Sequence, residues 1–313
     1  MSFSGVIDSV IRDTFRVGGL WRYTERLNQY LSIEEFMSSF EGKKGLILGV
    51  ANDRSIAWAV AKEVMENGGV CGFTHLPDRD DDDKKKNRLR VSRCTDAYPE
   101  NVKFLEPMDV CNDEQIAAVM SKAKSEFGQI DFVVHSIAFA DRGDLERNTI
   151  ETSRDGFKMA MEISAYSLIE VSNAAQGIMV DGGSILTMSY FGGEKCVPGY
   201  NVMGLCKATL EAAVRYLAFD LGPRKIRVNA LSAGPIKTLA GVAAGVKEML
   251  ELYEHMAPTG NVEVEEVART AAFLLSDHSK GITAETMHID GGYNAMGSPG
   301  RLLEVIKLSL IHI

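Results

Sequence analysis

The chain has 313 residues, of which 45% are hydrophobic and 25% charged, values typical of a globular enzyme with one large domain or two small ones. Its formal net charge of −9 argues against a nucleic-acid-binding protein, because such proteins usually carry a net basic face. No apolar run reaches the ~18 residues that span a bilayer, and no signal or transit peptide is recognisable, so we expect a cytoplasmic protein.

The predicted elements begin with residues 1–41, whose apolar positions recur at helical spacing, and we expect a helical N-terminal extension there. From residue 42 onward, short apolar segments alternate with longer amphipathic ones. Strands are predicted at 45–50, 70–74, 102–105, 132–135, 184–189, 227–231 and 286–289, with helices at 56–67, 113–127, 154–179, 201–220 and 263–276. This alternation predicts a single α/β domain over 42–296, of the Rossmann type: a doubly wound, seven-stranded parallel sheet with helices on both faces. The tail at 297–313 begins with Gly and Pro residues and ends strongly apolar, and its role stays open.

Metal binding and disulfides receive no support from the sequence. Residues 78–86 contain four consecutive Asp followed by three Lys, a pattern typical of a solvated loop, with an acidic metal site as the alternative. The five cysteines form no C-x-x-C pair, and their odd number favours reduced thiols. We therefore expect no metal.

The first predicted strand runs into a turn with Gly49 at the strand end and Ser55 before the next helix. In a parallel sheet, ligands bind beyond the carboxyl ends of the strands, where a helix N-terminus offers N–H donors to a pyrophosphate. The G-x-G-x-x-G fingerprint is absent, so this turn alone is also compatible with an ordinary strand-to-helix connection. The second strand ends at His75 and Leu76, which provide neither an acid for NAD nor a base for NADP, and this choice stays open.

The most informative segment is 189–207, where a predicted strand end is followed by a helix. Tyr200 and Lys207 are seven residues apart, about two helical turns, so both side chains are expected on one helix face and in one cleft. Ordinary short-chain dehydrogenases carry Tyr-x-x-x-Lys; here Met203 occupies that tyrosine position, and a second tyrosine, Tyr190, lies at the strand end. The spacing therefore disfavours the arrangement used for ketones and alcohols.

Several blocks together resemble the bacterial NADH-dependent enoyl-(acyl-carrier-protein) reductases, a divergent branch of the short-chain dehydrogenases, over about residues 42–295. The blocks are the G-x5-S-I-A turn, Asp-Val at 109–110, His-Ser-Ile-Ala-Phe-Ala at 135–140, the two tyrosines with Lys207, AGPIKTLA at 233–240 and Asp-Gly-Gly at 290–292. The resemblance implies cofactor contacts from Gly49, Ser55, Ile56, Leu76, Asp109, Val110, Ser136, Ile137, Ala138, Lys207, Ile236, Thr238, Leu239 and Ala240. It implies substrate contacts from Ala140, Tyr190, Tyr200 and Met203.

The activity implied by this resemblance is hydride transfer from NADH, with NADPH as the alternative, to the β-carbon of a trans-2-enoyl thioester. Tyr200 is expected to donate a hydrogen bond to the thioester oxygen, and Lys207 to bind the cofactor ribose and favour ionisation of a nearby phenol. Tyr190 is expected to gate the acyl chain or to help deliver a proton to the α-carbon. The implied partner is an enoyl-acyl-carrier protein, and the implied assembly is a homotetramer.

Two positions depart from the family pattern. Leu76 lies near the adenosine where many relatives have a polar residue, and Arg79 just beyond it suits the 2′-phosphate of NADPH. The loop after Ala240 retains only Lys247 among the basic residues that such loops carry, and Glu248 opposes it, so steering of an acidic carrier protein is expected to be weaker. A ketoreductase of the same fold and a non-catalytic NAD(P)-binding protein remain as alternatives.

Overall fold

The computed structural model of the protein describes residues 39–79, 81–236 and 246–303. The strands in these residues, β1 to β7, are Lys44–Leu48, Val70–His75, Val102–Pro107, Phe132–His135, Gly183–Ser189, Ile226–Ala233 and Thr286–Ile289. The α-helices there, α1 to α9, are Ile56–Glu66, Lys86–Thr95, Asp113–Phe127, Arg142–Glu146, Arg154–Met161, Ser167–Gln176, Asn201–Leu221, Val246–Met256 and Val264–Leu275. A π-helical turn, Glu162–Tyr166, joins α5 to α6.

The strands pair in parallel and form one sheet in the order β3-β2-β1-β4-β5-β6-β7. The chain proceeds outward from β1 to β3 and then returns to the other side of β1, so the strand order reverses between β1 and β4. In doubly wound sheets, the ligand cleft lies beyond the carboxyl ends of the strands at this switch point. The predicted fold class is confirmed.

Helices cover both faces of the sheet, and successive strand residues alternate between two cores. The core under α3, α6 and α7 receives Leu46, Leu48, Val133, Ile185 and Val228 from the strands. The core under α1 and α9 receives Ile47, Phe73, Phe132, Val134 and Leu186. Because both faces are buried, the strands read as almost continuous apolar runs, and this pattern made them recognisable in the sequence.

Three helices, α2, α4 and α8, were not predicted. The first of them follows the charged run at 78–86, where Asp78 accepts the N–H groups of Asn87 at 2.6 Å and Arg88 at 3.4 Å. The charged run therefore includes a helix cap, whereas the sequence predicted only a solvated loop. The predicted helix at 154–179 is present as α5, the π turn and α6.

The predicted N-terminal extension at 1–41 lies outside the described residues apart from 39–41, and the tail does so from residue 304. Among the residues that the structure describes, no helix is long and apolar enough to cross a membrane. The same part of the chain gathers no group of three or more His, Cys, Asp or Glu residues that could hold a metal ion. All five cysteines are free thiols.

Candidate active site

The turn after β1 brings Gly49 against the loop that follows β4. The backbone of Gly49 has a φ of +97°, a conformation that strongly favours glycine. A Cβ atom here would collide with the carbonyl oxygen of Ser136, whose N–H donates to the carbonyl oxygen of Leu48 at 3.0 Å. The chain therefore turns tightly after β1, and no side chain at Gly49 fills the space next to Ser136. We term this turn the Gly49 cradle. Such a turn lets a pyrophosphate approach the backbone closely.

Ser55 closes the Gly49 cradle from its far end. Its hydroxyl oxygen accepts the N–H groups of Ala51 and Asn52, both at 3.0 Å. Its backbone forms the N-cap of α1, but its side chain makes no capping hydrogen bond to that helix. Because α1 begins at Ile56, the free N–H groups of the helix N-terminus follow directly after the cradle.

The ends of β2 and β3 lie side by side at the same edge of the sheet. Leu76, directly after β2, has an apolar side chain that is 62% exposed at this edge. After β3, Asp109 accepts the N–H of Cys111 at 3.0 Å and donates its own N–H to the Gln115 side chain at 2.8 Å. Val110 is buried in the adjoining core. Asp109 therefore stabilises the turn after β3 through its carboxylate and its backbone N–H. This turn lies at the same edge of the sheet as the exposed Leu76.

The loop after β4 contains 136–138, which are partly or fully exposed next to the Gly49 cradle. Ser164 of the π turn holds this loop through two hydrogen bonds. Its hydroxyl accepts the N–H of Phe139 and donates to the carbonyl oxygen of the same residue, both at 2.9 Å. The π turn therefore fixes the backbone that leads to Ala140.

His135, the last residue of β4, is completely buried beneath this loop. Its Nδ1 lies 3.0 Å from Thr187 Oγ1 in β5, and its Nε2 lies 2.9 Å from Ser167 Oγ in α6. Burial lowers the pKa of His135 to about 3, and the nearby charge of Lys207 acts in the same direction. The ring is therefore neutral at pH 7. Its two nitrogens connect β4 to β5 and to α6.

Tyr190 and Tyr200 form an edge-to-face pair after β5, with ring centroids 4.7 Å apart and planes at 63°. Tyr200 is the N-cap residue of α7, so it precedes the helix, whereas the spacing argument treated it as part of that helix. Burial raises the pKa of Tyr190 to about 12 and also raises the pKa of Tyr200. Both side chains are therefore neutral hydroxyls at pH 7, each with a proton to donate.

Lys207 is almost completely buried on the inner face of α7. Its Nζ donates a 2.6 Å hydrogen bond to the carbonyl oxygen of Met188 in β5. Burial lowers the pKa of Lys207 to about 8, although the nearby Cys206 and Glu211 act in the opposite direction. Glu211, one helical turn further on, accepts a hydrogen bond from the hydroxyl of Ser189. The inner face of α7 is therefore attached to β5 through two polar side chains.

Tyr200 keeps its phenol proton in this structure. Burial raises the pKa of Tyr200 most, and the neighbouring Tyr190, Cys206 and Glu211 raise it further. The expectation that Lys207 favours ionisation of a nearby phenol therefore stays a prediction. The Tyr200 hydroxyl is available as a proton-bearing hydrogen-bond donor.

Met203 is buried, with its Sδ 3.9 Å from the hydroxyl of Ser164. It belongs to a small apolar cluster against which Ala140 and Tyr200 pack. Three of the four residues predicted to contact substrate are therefore in one cluster, and the fourth, Tyr190, packs on Tyr200.

The segment after β6 is expected to line the cleft on the side opposite Gly49. In this segment, Ile236 packs against the core under α1 and α9. The predicted cofactor residues Thr238, Leu239 and Ala240 lie outside the described residues. The loop at 241–245 and the side chain of Lys247 also lie outside them.

Helix α8, which the sequence did not predict, contributes two side chains to this site. The hydroxyl oxygen of Tyr190 lies 3.1 Å from that of Tyr253 and 3.7 Å from the Sδ of Met249. Met249 and Tyr253 are four residues apart and so lie on one face of the helix. This spacing of Met249 and Tyr253 could have indicated a helix with one face towards the site. The same spacing, however, occurs in any helix that packs one face against a core.

Comparison with known proteins gives one consistent family. Residues 49–294 match the family model described as enoyl-(acyl carrier protein) reductase. The chain is 45% identical over 263 residues to the enoyl-(acyl-carrier-protein) reductase (NADH) FabI of Nostoc sp., which covers 83% of this chain and 100% of that protein. It is also similar to the enoyl-(acyl-carrier-protein) reductase of Anaplasma phagocytophilum in complex with NAD, with a TM-score of 0.77, 42% identity, and coverage of 83% of this chain and 97% of that one. For the Bacillus cereus enoyl-acyl carrier protein reductase with NADP⁺ and indole naphthyridinone, the TM-score is 0.78, the identity 44% and the coverage 82% and 98%.

Proposed function

The chain belongs to the enoyl-(acyl-carrier-protein) reductase family, and on that premise we propose that it reduces the trans-2 double bond of enoyl thioesters with NADH in fatty-acid synthesis. The observation that carries this proposal is the contact pair of Tyr190 and Tyr200, with Lys207 buried on the helix that Tyr200 precedes as its N-cap residue. The position of the tyrosine in ordinary short-chain dehydrogenases is filled by the thioether of Met203, which can neither donate nor remove a proton there.

The Gly49 cradle fits a dinucleotide, because a side chain at this position would fill the space next to Ser136. Bound NADH supplies the hydride that is added to the β-carbon of the substrate. The cradle with Ser55 and Ile56 would hold the pyrophosphate, and Leu76, Asp109 and Val110 would line the adenosine side. Towards the nicotinamide, the cofactor would be held by Ser136, Ile137, Ala138, Lys207, Ile236, Thr238, Leu239 and Ala240.

Tyr200 stabilises the negative charge that develops on the thioester oxygen when the β-carbon gains a hydride. The buried phenol keeps its proton at pH 7, so it can donate a hydrogen bond to that oxygen. A donor in a buried site is worth more than one in water, because the surrounding dielectric is low. Tyr200 therefore acts as an oxyanion-hole donor.

Lys207 would position the cofactor by donating hydrogen bonds to its ribose hydroxyls. Its charge would also favour the anionic transition state, since a buried charge is weakly screened. Ala140 and Met203 line the substrate side of the cleft in the apolar cluster that contains Tyr200. Tyr190 either gates the acyl chain or helps to deliver the proton that the α-carbon requires.

We further propose that the enzyme is a homotetramer that acts on enoyl-acyl-carrier protein in the cytoplasm. Two large apolar side chains on α7, Tyr216 and Phe219, are 75% and 81% exposed, and Tyr166 and Ile169 are exposed on the neighbouring π turn and α6. Exposed apolar surface on adjacent helices supports burial against further copies of the chain. The five free thiols are compatible with a reducing compartment.

The proposal is tested with an absorbance assay that crosses NADH and NADPH with crotonyl-CoA and crotonyl-acyl-carrier protein. We expect oxidation of NADH with the enoyl thioesters and none with a 3-ketoacyl thioester. Tyr200→Phe should lower kcat by about a hundredfold to a thousandfold, the usual effect of removing one oxyanion-hole donor.

Two results would favour the alternative functions. Reduction of the ketoacyl thioester in preference to the enoyl thioester would indicate a ketoreductase. Binding of NADH without turnover of any enoyl thioester would indicate a non-catalytic cofactor-binding protein.

A further inference from the structure

One face of α8 is directed at the hydroxyl of Tyr190. Met249 and Tyr253, one helical turn apart, place a thioether sulfur 3.7 Å and a phenol oxygen 3.1 Å from that hydroxyl. The two tyrosines are separated by 63 residues in the chain, so the contact joins the end of β5 to a distant helix. The Tyr190 hydroxyl, which we propose to act on the substrate, is therefore hydrogen-bonded to a residue of α8.

Tyr253 is itself held firmly in place. It is 1% exposed, and its ring stacks on that of Tyr293 with centroids 3.8 Å apart and planes at 17°. Tyr293 packs edge-to-face against Phe191, which follows Tyr190 directly in the chain. A buried phenol whose ring is stacked on a second packed ring has little freedom to move, so its hydroxyl is held at a fixed position.

We propose that Tyr253 is a positioning residue of the enoyl reductase reaction: its hydroxyl bonds to that of Tyr190 and sets where the Tyr190 hydroxyl lies in the cleft. The inference rests on the proposed function, because it assigns to Tyr253 an effect on enoyl-thioester turnover. Tyr253 does not contact the substrate in this arrangement and acts only through Tyr190.

The chemistry of two phenols explains why the contact matters. Each hydroxyl carries one proton and two acceptor sites, so either oxygen can be the donor in this pair. When Tyr253 donates, the only acceptor of the Tyr190 proton among the described contacts is the thioether of Met249, a weak acceptor that a substrate oxygen can replace. Burial raises the pKa of both tyrosines, which keeps both protons in place at pH 7.

The test compares Tyr253→Phe with a matched control, Tyr98→Phe, which also removes one phenol hydroxyl bonded at 3.0 Å, in that case to Glu66. Tyr253→Phe keeps the ring that stacks on Tyr293, and circular dichroism checks that the variant is folded. We expect kcat/KM for crotonyl thioester to fall by about threefold to tenfold, the effect of one hydrogen bond between neutral groups. The Kd for NADH and the activity of Tyr98→Phe should change by less than about twofold.

A double-mutant cycle separates positioning from a purely structural role. In the Tyr190→Phe background, Tyr253→Phe should have no further effect on kcat/KM, because the partner hydroxyl is already absent. An equal loss with and without the Tyr190 hydroxyl would overturn the proposal, and so would full activity of the single Tyr253→Phe variant.

A second measurement does not depend on turnover. In protein labelled with ζ-¹³C tyrosine, the Tyr190 resonance is identified by its loss in Tyr190→Phe. It should shift in Tyr253→Phe and stay in place in Tyr98→Phe; an unshifted resonance in Tyr253→Phe would contradict the contact. If the wild-type protein reduced no enoyl thioester, the proposed function would fail and, with it, the catalytic part of this inference, while the resonance alone would report on the contact.

Discussion

The ammonium group of Lys207 donates a 2.6 Å hydrogen bond to the main-chain carbonyl oxygen of Met188 in β5. The strand therefore orients the side chain before any cofactor arrives, and little rotamer freedom remains to be lost on binding. Because the group is buried, its positive charge is also less screened than a surface lysine would be.

Replacing Lys207 with Met should weaken NADH binding by about tenfold or more, because hydrogen bonds from a charged donor contribute about 1.5–3 kcal/mol each. Fluorescence titration of NADH measures this Kd directly. Lys122→Met is the control, since Lys122 pairs with Glu126 on the exposed side of α3. A Kd for Lys207→Met within twofold of wild type would contradict the proposed role.

The same lysine should make NADH binding dependent on pH. The pKa of Lys207 is lowered to about 8, so the free enzyme carries the positive charge below pH 8 and loses it progressively above. If the protonated form binds the ribose hydroxyls better, the Kd should be constant from pH 6 to 7 and rise as the pH increases from 8 to 9.5. In Lys207→Met, this rise should be absent, whereas a rise of the same size would assign it to another group.

Gly49→Ala tests the cradle at the switch point. The added Cβ would meet the carbonyl oxygen of Ser136, and a φ of +97° strains any L-residue, at a cost of about 1–3 kcal/mol. We expect a lower melting temperature and a clear loss of NADH affinity. Gly281→Ala is the matched control, because a Cβ there has no neighbour within 4 Å. Wild-type NADH affinity in Gly49→Ala would argue against a pyrophosphate at this turn.

His135 should make the fold sensitive to acid. Its pKa is lowered to about 3, so the native state keeps the ring neutral while the unfolded chain binds a proton below about pH 6.5. Stability from this group is therefore complete above pH 6.5 and is lost as the pH falls towards 3, at up to about 1.4 kcal/mol per pH unit. Urea denaturation at pH 7, 6, 5 and 4 should show a shallower pH dependence for His135→Gln than for wild type. Parallel curves for the two proteins would mean that other groups cause the acid sensitivity.

Phe219→Glu tests the proposed homotetramer. A charge on this exposed side chain of α7 would have to be desolvated in any interface that buries it. Sedimentation velocity should show about four chain masses for wild type and a smaller species for the variant. Ile150→Glu is the control, because Ile150 is 94% exposed on a short turn that we do not assign to the interface. A monomeric wild type would reject the tetramer outright.

The sequence indicated the sheet well because parallel strands buried on both faces leave a strong apolar signal. The spacing of Tyr200 and Lys207 also indicated the chemistry, although Tyr200 precedes its helix. Helices α2 and α8 were missed because each follows a segment that was interpreted as a loop, the charged run at 78–86 and the loop after Ala240. The spacing of Met249 and Tyr253 did not single out Tyr253, since its contact with Tyr190 depends on tertiary packing across 63 residues.

The π turn Glu162–Tyr166 has a consequence for the tolerance of this chain to changes in length. Ser164 within it holds the loop after β4, and Ser167 just beyond it holds His135. An α-helix turns by about 100° per residue, so deleting one residue here would regularise the helix but rotate one serine away from its partner. The irregular winding therefore sets how α6 is rotated relative to α5, and a single-residue deletion should be tolerated less well here than in α3.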